Sequence, residues 1–555
     1  MRASPSADLI LRNGRIYTVD AMRSRASAAA ISKGRFVAVG DESAVQSFMG
    51  AATEVADLGG RMVMPGIVDI HAHILMGGQA ELFDLNFSSA CDVEEICAAV
   101  RGSAAKSAPG AWIVGAQWGG DKLSALNLAE SLARLDEAAE GHPVLLRDDS
   151  YHSRWCSSEA LRLAGVTRDT PDPAGGEIGR DPRSGDLTGV MIETAAGVVD
   201  RALAQSGRYT PEMDRAAIAR SIETLNAFGV TAFLDAASTK EMMAALKGLD
   251  DRGALTAWAA CSMPVVAPPF LSGILGDALI AHREKYRSRH VRPDFVKVFL
   301  DGAAAFRTAA FHEAYLPDAV RGSCFRGATA MSVPELIRWL AKCERMGLSM
   351  KIHCAGDAAV TQALDAIEVV RSFNGQTNLI HQIAHANYVA PADVQRFGEL
   401  GVVADLSPVM WRPTSFLEAH KAAIGAERAG RLSPVHDLLL SGALMCGGSD
   451  WPVVPSPDPW KGIAGIVTRR NPSAESGDGT LWPEQALDLA SALEIYTING
   501  ARAMQLADVT GSIEVGKSAD FIVLDRDLFE TPPDEIADTK VLAAYFEGRP
   551  VFERG

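Results

Sequence analysis

The sequence predicts an α/β fold: a distorted (β/α)8 TIM-type barrel with a small β-sandwich domain built from both chain termini. Three observations carry that expectation. In the middle of the chain, short apolar strand-like runs alternate with helix-length segments, the pattern of βα units on a parallel sheet. The two ends read as short strands punctuated by turn residues, and neither end alone has enough strands for a stable sheet. The length, 555 residues, exceeds one simple core and suits a large barrel with appendages.

Taken in order, residues 1–64 hold the first half of the terminal domain. Its strands are Leu9-Ile10-Leu11, Arg15 to Val19 and Arg35 to Gly40, with Gly14, Gly34 and Gly40 as turn residues. Residues 65–500 form the barrel. Strand candidates there are 66–71, 112–116, 143–147, 229–235, 256–261, 295–300, 349–353, 379–384, 401–405 and 444–448. Helical stretches at Met213–Phe228, Val333–Met346, Asp357–Phe373 and Ala390–Leu400 separate many of them. That is two strands more than a closed eight-stranded barrel needs. The extras, 112–116 and 143–147, are assigned to an insertion around residues 80–205. Thr170 to Gly189 is rich in Pro, Gly and Asp and reads as a surface excursion near the barrel mouth. Residues 501–555 return to strands at 520–525, 541–546 and 550–552 and complete the terminal domain.

Composition narrows the function. Net charge is −16, which disfavours a nucleic-acid partner and discourages self-association by charge. A homodimer stays open. The one basic run, His282 to Arg292, is most simply a solvated helix face. The eight cysteines form no C-x-x-C pair, which suits reduced thiols better than a disulfide scaffold. No stretch is apolar for long enough to span a bilayer, and the N-terminus lacks an apolar signal region. A soluble cytoplasmic protein with no membrane partner is the expectation.

The chemistry is expected where barrel strands end, because active groups of this architecture sit at the C-terminal mouth. In Pro65-Gly66-Ile67-Val68-Asp69-Ile70-His71-Ala72-His73, residues i and i+2 of a strand face one way, so His71 and His73 aim at one spot. The strand at 295–300 carries Lys297 and closes on Asp301-Gly302. The next two carry His353 and His385, and the last ends in Gly447-Gly448-Ser449-Asp450. Each alone has an ordinary explanation: a core or hydrogen-bonded histidine, a snorkelling lysine or one meeting Asp301, a helix-capping aspartate. Together they spell a two-metal site. A lysine in the apolar run Phe295-Val296-Lys297-Val298-Phe299-Leu300 is expensive to bury as a cation and loses its proton easily. The neutral amine can take up carbon dioxide, and the carbamate is an oxygen ligand able to bridge two cations.

These stretches, with Leu11-Arg12-Asn13-Gly14-Arg15-Ile16-Tyr17-Thr18, His353 to Val360 and Gly511 to Asp520, resemble the amidohydrolase superfamily. Within it the chain is similar to the YtcJ-like, amidohydrolase-3 branch that includes N-substituted formamide deformylase. The resemblance implies that His71, His73 and Asp450 hold the more buried of two divalent ions, His353 and His385 the second, with carboxylated Lys297 bridging them. Zinc best suits imidazole and carboxylate ligands. Three positions depart from the branch pattern: Ala384 for a glutamate, Met410-Trp411 where a histidine is common, and Tyr151 within Asp149-Ser150-Tyr151-His152-Ser153. These leave the metal chemistry in place and bear on the substrate.

The resulting expectation is a metal-dependent amidohydrolase, acting on a carbon–nitrogen bond other than a peptide bond. The ions would bring the pKa of a water to about 7, and Asp450 would shuttle its proton to the departing nitrogen. The substrate is a small-molecule amide with a bulky, aryl or apolar group. Trp118, Tyr151, His152, Arg307, Met410, Trp411 and Trp451 are the candidate contacts, His152 also serving the oxyanion. The rivals are a lactonase, esterase or deaminase on the same site, and a regulatory barrel without catalysis.

Overall fold

Eight parallel strands follow one another around a barrel in chain order: Ile67–Ala72, Val230–Asp235, Trp258–Pro264, Val291–Phe299, Ser349–Cys354, Gln382–His385, Val403–Leu406 and Leu444–Gly447. Most of their residues are buried on both faces, as expected where helices cover a parallel sheet. This computed structural model describes residues 6–266, 273–318, 321–375, 377–411, 415–471 and 479–555. The fold is a TIM-type barrel with additional sheets, as the alternating pattern predicts.

The ring closes just beyond the eighth strand. Ala72 and Trp451 form a parallel bridge, His73 N donates to Trp451 O at 2.8 Å, and Asp450 N donates to His71 O at 2.7 Å. The close approach requires glycine at 448, where a Cβ would stand 2.4 Å from His71 Cβ and 2.8 Å from His71 N. Gly448→Ala is therefore expected to lower thermal stability, by the roughly 1–3 kcal/mol typical of overpacking. Gly102→Ala is the matched control. Its Cβ would meet nothing, and at this exposed position of the helix Val93–Ala104 alanine is worth about 1 kcal/mol over glycine. Thermal unfolding of the two variants should shift in opposite directions, and equal shifts would contradict the packing argument.

Both chain ends build the terminal sheets. One sheet orders 35–40, 28–32, 9–12 and 54–57; the other orders 549–553, 541–546, 521–524, 62–65, 15–17 and 25–26. Leu9, Leu11, Ile31, Phe36, Val63 and Phe521 share one apolar cluster between them. The second sheet leads directly into the metal-type histidines, since Met62–Pro65 precedes the first barrel strand by one residue.

The strands Ile113–Trp118 and Val144–Asp148 lie outside the barrel, in a six-stranded sheet ordered 176–180, 187–193, 153–156, 144–148, 113–118, 85–86. Two sequence expectations need correction. The excursion 170–189 is not all loop: Gly176–Arg180 and Leu187–Glu193 pair as an antiparallel hairpin, and Thr188 to Glu193 is buried. Turn residues at its start masked the β-branched and apolar run at its end. The basic run 282–292 is not a helix face. It holds one 3-10 turn, Arg283–Lys285, and then enters the fourth barrel strand, where Pro293 disfavours helix. His290 within it is buried against Asp250, its Nδ1 2.5 Å from Oδ1. All eight cysteines are free, and among the described residues no helix is long and apolar enough to cross a membrane.

Candidate metal centre and cleft

His71, His385 and Asp450 each present a ligand atom within 4.8 Å of the others, all buried, at the C-terminal mouth of the barrel. His73 joins them, its Nε2 3.4 Å from Asp450 Oδ1, against 3.6 Å for His71 Nε2. The ring of His353 stands 4.6 Å from that of His385, centroid to centroid. Its Nε2 faces Gly302 O at 3.3 Å, so it adjoins the trio without entering it. Lys297, fully buried, lines the same cleft.

The strands fix this geometry through carboxylates. Asp69 accepts from His71 N and from Ser449 N, each at 3.0 Å, and so ties the first strand to the loop bearing Asp450. Asp405 Oδ2 lies 2.8 Å from His71 Nδ1 and also accepts from Lys351 Nζ. With Nδ1 committed to a carboxylate, His71 turns Nε2 toward Asp450, the arrangement that orients metal-binding histidines. Asp301 accepts from the amides of Ala310, Ala355 and Gly356, which shape the chain around His353. It does not pair with Lys297. His385 and Asp450 have φ of +69° and +59°, left-handed values rare outside glycine. Such strain costs of order 1–3 kcal/mol and clusters at functional sites.

Electrostatics suit a cation. Burial, with the charges of Lys297 and Lys351, holds His71 well below the ordinary histidine range. Burial does the same for His353 and His385, so three imidazoles are unprotonated and ready as ligands. Burial, reinforced by neighbouring Lys351, lowers the Lys297 amine to about 7. Its Nζ is buried without a hydrogen-bond partner and rests 4.7 Å from the Phe299 ring centre. A donor set of neutral imidazoles and a carboxylate, around one orphaned amine, fits divalent-metal binding.

Around the metal-type residues the cleft is apolar. Met76, Phe299, Met410, Phe416 and Val453 line it, with Tyr151, His152, Asn387 and His420 as polar members. His152 Nδ1 sits 3.0 Å from Glu193 Oε2, and Glu193 accepts from Thr308 Oγ1. Burial pulls the His152 pKa down, but the Glu193 carboxylate more than offsets this and leaves it raised.

Of the predicted substrate contacts, Tyr151, His152 and Met410 line the cleft. Four do not. Trp118 is wholly buried in the insertion's core and its Nε1 donates to Leu146 O. Trp411 is buried in the barrel core beneath the guanidinium of Arg469. Arg307 turns away to Leu316 O and Asp318. Trp451 packs where Gly77 leaves room for its ring. Large rings at loop ends fill the core here, because their size lets them close the gaps between packed segments. Sequence reasoning missed Lys351, Asp405, Glu193, Phe416 and His420. Lys351 and Asp405 carried the same signal as Lys297, a charged residue inside an apolar strand. Glu193 and His420 carried none.

A parallel barrel with histidines, a lysine and an aspartate converging at its mouth defines a metal-dependent hydrolase of the amidohydrolase type. The chain belongs to the amidohydrolase family: a model of the amidohydrolase-3 branch, described as "Amidohydrolase family", matches residues 54–552. The chain is 29% identical to "Protein LONG AFTER FAR-RED 3" of Arabidopsis thaliana, over 98% of its length and 92% of the relative's. It is 28% identical to "N-substituted formamide deformylase" of Arthrobacter pascens, over 99% and 98% respectively. Among solved structures it resembles an uncharacterized metal-dependent hydrolase from Pyrococcus horikoshii OT3, at 25% identity and a TM-score of 0.71, covering 95% of this chain and 99% of that one.

Proposed function

We propose that this hydrolase cleaves the carbon–nitrogen bond of a small amide bearing a bulky apolar or aryl group. His71, His73 and Asp450 would hold one divalent ion, His353 and His385 a second, with Lys297 as its carbamate between them. Zinc suits the donors best. The observation that carries the reading is Lys297, an orphaned, readily deprotonated amine beside three neutral imidazoles and Asp450. Relatedness to a formamide deformylase supports the amide bond. Bound there, the ions supply Lewis acidity and acidify a water.

The chain's own residues do the rest. Asp450 accepts a proton from the attacking water and returns it to the departing nitrogen, so that amide and water give acid and amine. Glu193 holds His152 by Nδ1, which leaves Nε2 for the carbonyl oxygen. Met76, Phe299, Met410, Phe416 and Val453 offer the apolar group a wall without fixed charge.

The test is a panel of formanilides, small polar amides, phenyl esters and lactones offered to metal-replete protein. Formanilides should give the highest kcat/KM. Faster ester or lactone hydrolysis would reassign the reaction, and faster hydrolysis of small polar amides would show the apolar wall to be misread.

A further inference from the structure

The cleft contains polar groups that the reaction does not use. His420, on the helix Ser415–Ile424, is 1% exposed and lines the same cleft as the metal-type residues. Its ring lies 4.2 Å from that of Phe416. Its Nδ1 lies 2.8 Å from Tyr388 Oη. Its Nε2 is buried and has no hydrogen-bond partner among the described residues.

The hydrogen positions follow from the partners. Tyr388 is itself buried, and burial raises its pKa, so it keeps its proton. The described residues give its hydroxyl one acceptor, His420 Nδ1. Burial lowers His420 to about 3, so the imidazole is neutral. A neutral imidazole that accepts at Nδ1 carries its hydrogen on Nε2. Tyr388 thereby fixes the tautomer and leaves His420 with a buried N–H in an apolar cleft. Such a donor costs about 1–3 kcal/mol when it is left unmade, and native proteins rarely retain one without a use. Asn387 repeats the pattern: it lines the cleft, is 5% exposed, and its Oδ1 is buried without a partner.

Resting on the amide-hydrolase reading above, we infer that His420 Nε2–H is a specificity-determining donor that selects substrates carrying a hydrogen-bond acceptor, such as an ether or carbonyl oxygen, on their apolar group. Asn387 supplies a second polar contact in the same cleft. The substrate is then not a plain hydrocarbon amide. It is an aryl or alkyl amide with an oxygen or ring nitrogen remote from the bond cleaved. A site built to hydrogen-bond its ligand discriminates strongly against the analogue lacking the group, because its own donor is left unpaired.

The test uses two matched probes, N-(4-methoxyphenyl)formamide and N-(4-ethylphenyl)formamide, which differ in one ether oxygen. Binding is measured by calorimetry and turnover by amine release. Wild type should favour the methoxy compound at least about tenfold, the ratio that 1.4 kcal/mol produces. The double substitution His420→Phe with Tyr388→Phe removes the donor and its partner together and leaves neither hydroxyl nor imidazole stranded. It should bring the ratio to about one and hold or raise thermal stability. A ratio unchanged in the variant would overturn the inference. So would equal loss with both probes together with a fall in stability, the signature of a merely structural His420. Binding that discriminates without turnover of either probe would retain the donor's role and refute the amide reading instead.

Discussion

Asp450→Asn should leave the protein folded and cost about 10²–10⁴ in kcat, the usual worth of general acid–base catalysis. The fold argument is local. Asp450 is held by its main chain, with N donating to His71 O, and sits at φ +59°, a conformation asparagine tolerates better than most residues. The side chains have the same shape, so packing beside His71 and His73 is kept. What asparagine cannot do is accept the proton of the attacking water and hand it to the leaving nitrogen. The loss should therefore fall on kcat with KM changed far less, since binding by the apolar wall is untouched. Steady-state kinetics on a formanilide, with metal content measured on the same preparation, separates lost proton transfer from lost metal. Turnover near wild type at full metal content would move the proton transfer to another group, and the imidazole of His152, held by Glu193 in the same cleft, would be next to replace.

Sequence and structure agree where a signal was local and periodic. The histidines 71 and 73 were legible because strand alternation alone places them on one face, and the structure adds only Asp405 and Asp69 behind them. The eight barrel strands were legible because each is an apolar run buried on both sides. Strands at the chain ends were partly missed: Ala28–Ser32 is a run of alanines with no β-branched signature until Ile31, and its pairing with Leu9–Leu11 supplies what propensity does not. The substrate wall was the least legible part. Trp118 and Trp411 looked like cleft residues by position, yet which side of a loop faces the cleft depends on packing between distant segments. Glu193 shows the same limit. It reaches His152 across 41 residues, from the far end of the strand Leu187–Glu193, which only begins in the Pro- and Gly-rich stretch 170–189. Lys351, two residues before His353, is a charged residue in an apolar strand just as Lys297 is. The structure separates the two lysines: they face each other in register on adjacent strands, and Asp405 pairs with only one.

That pairing makes Lys297 the residue with the largest expected effect. Lys297→Met should lose metal and activity together, while the metal-free protein becomes no less stable. The buried amine has no hydrogen-bond partner, and a lone buried lysine is costly whichever protonation state it adopts. Methionine fills nearly the same volume with an unbranched apolar chain, so it removes that cost without opening a cavity. Stability and metal content should accordingly move apart, which a general packing defect does not do. Elemental analysis of wild type should find up to about two divalent ions per chain, the occupancy of a two-metal site. The variant should hold at most one, with turnover falling in parallel. Lys297→Ala is the complementary change. Its cavity should admit a short-chain carboxylic acid, such as acetate or propionate, whose two oxygens replace those of the carbamate and restore part of both metal and rate. A methionine variant that keeps full metal content and turnover would remove Lys297 from the site. A variant that loses metal but is not rescued in the alanine form would leave it a ligand and deny it the bridging carbamate.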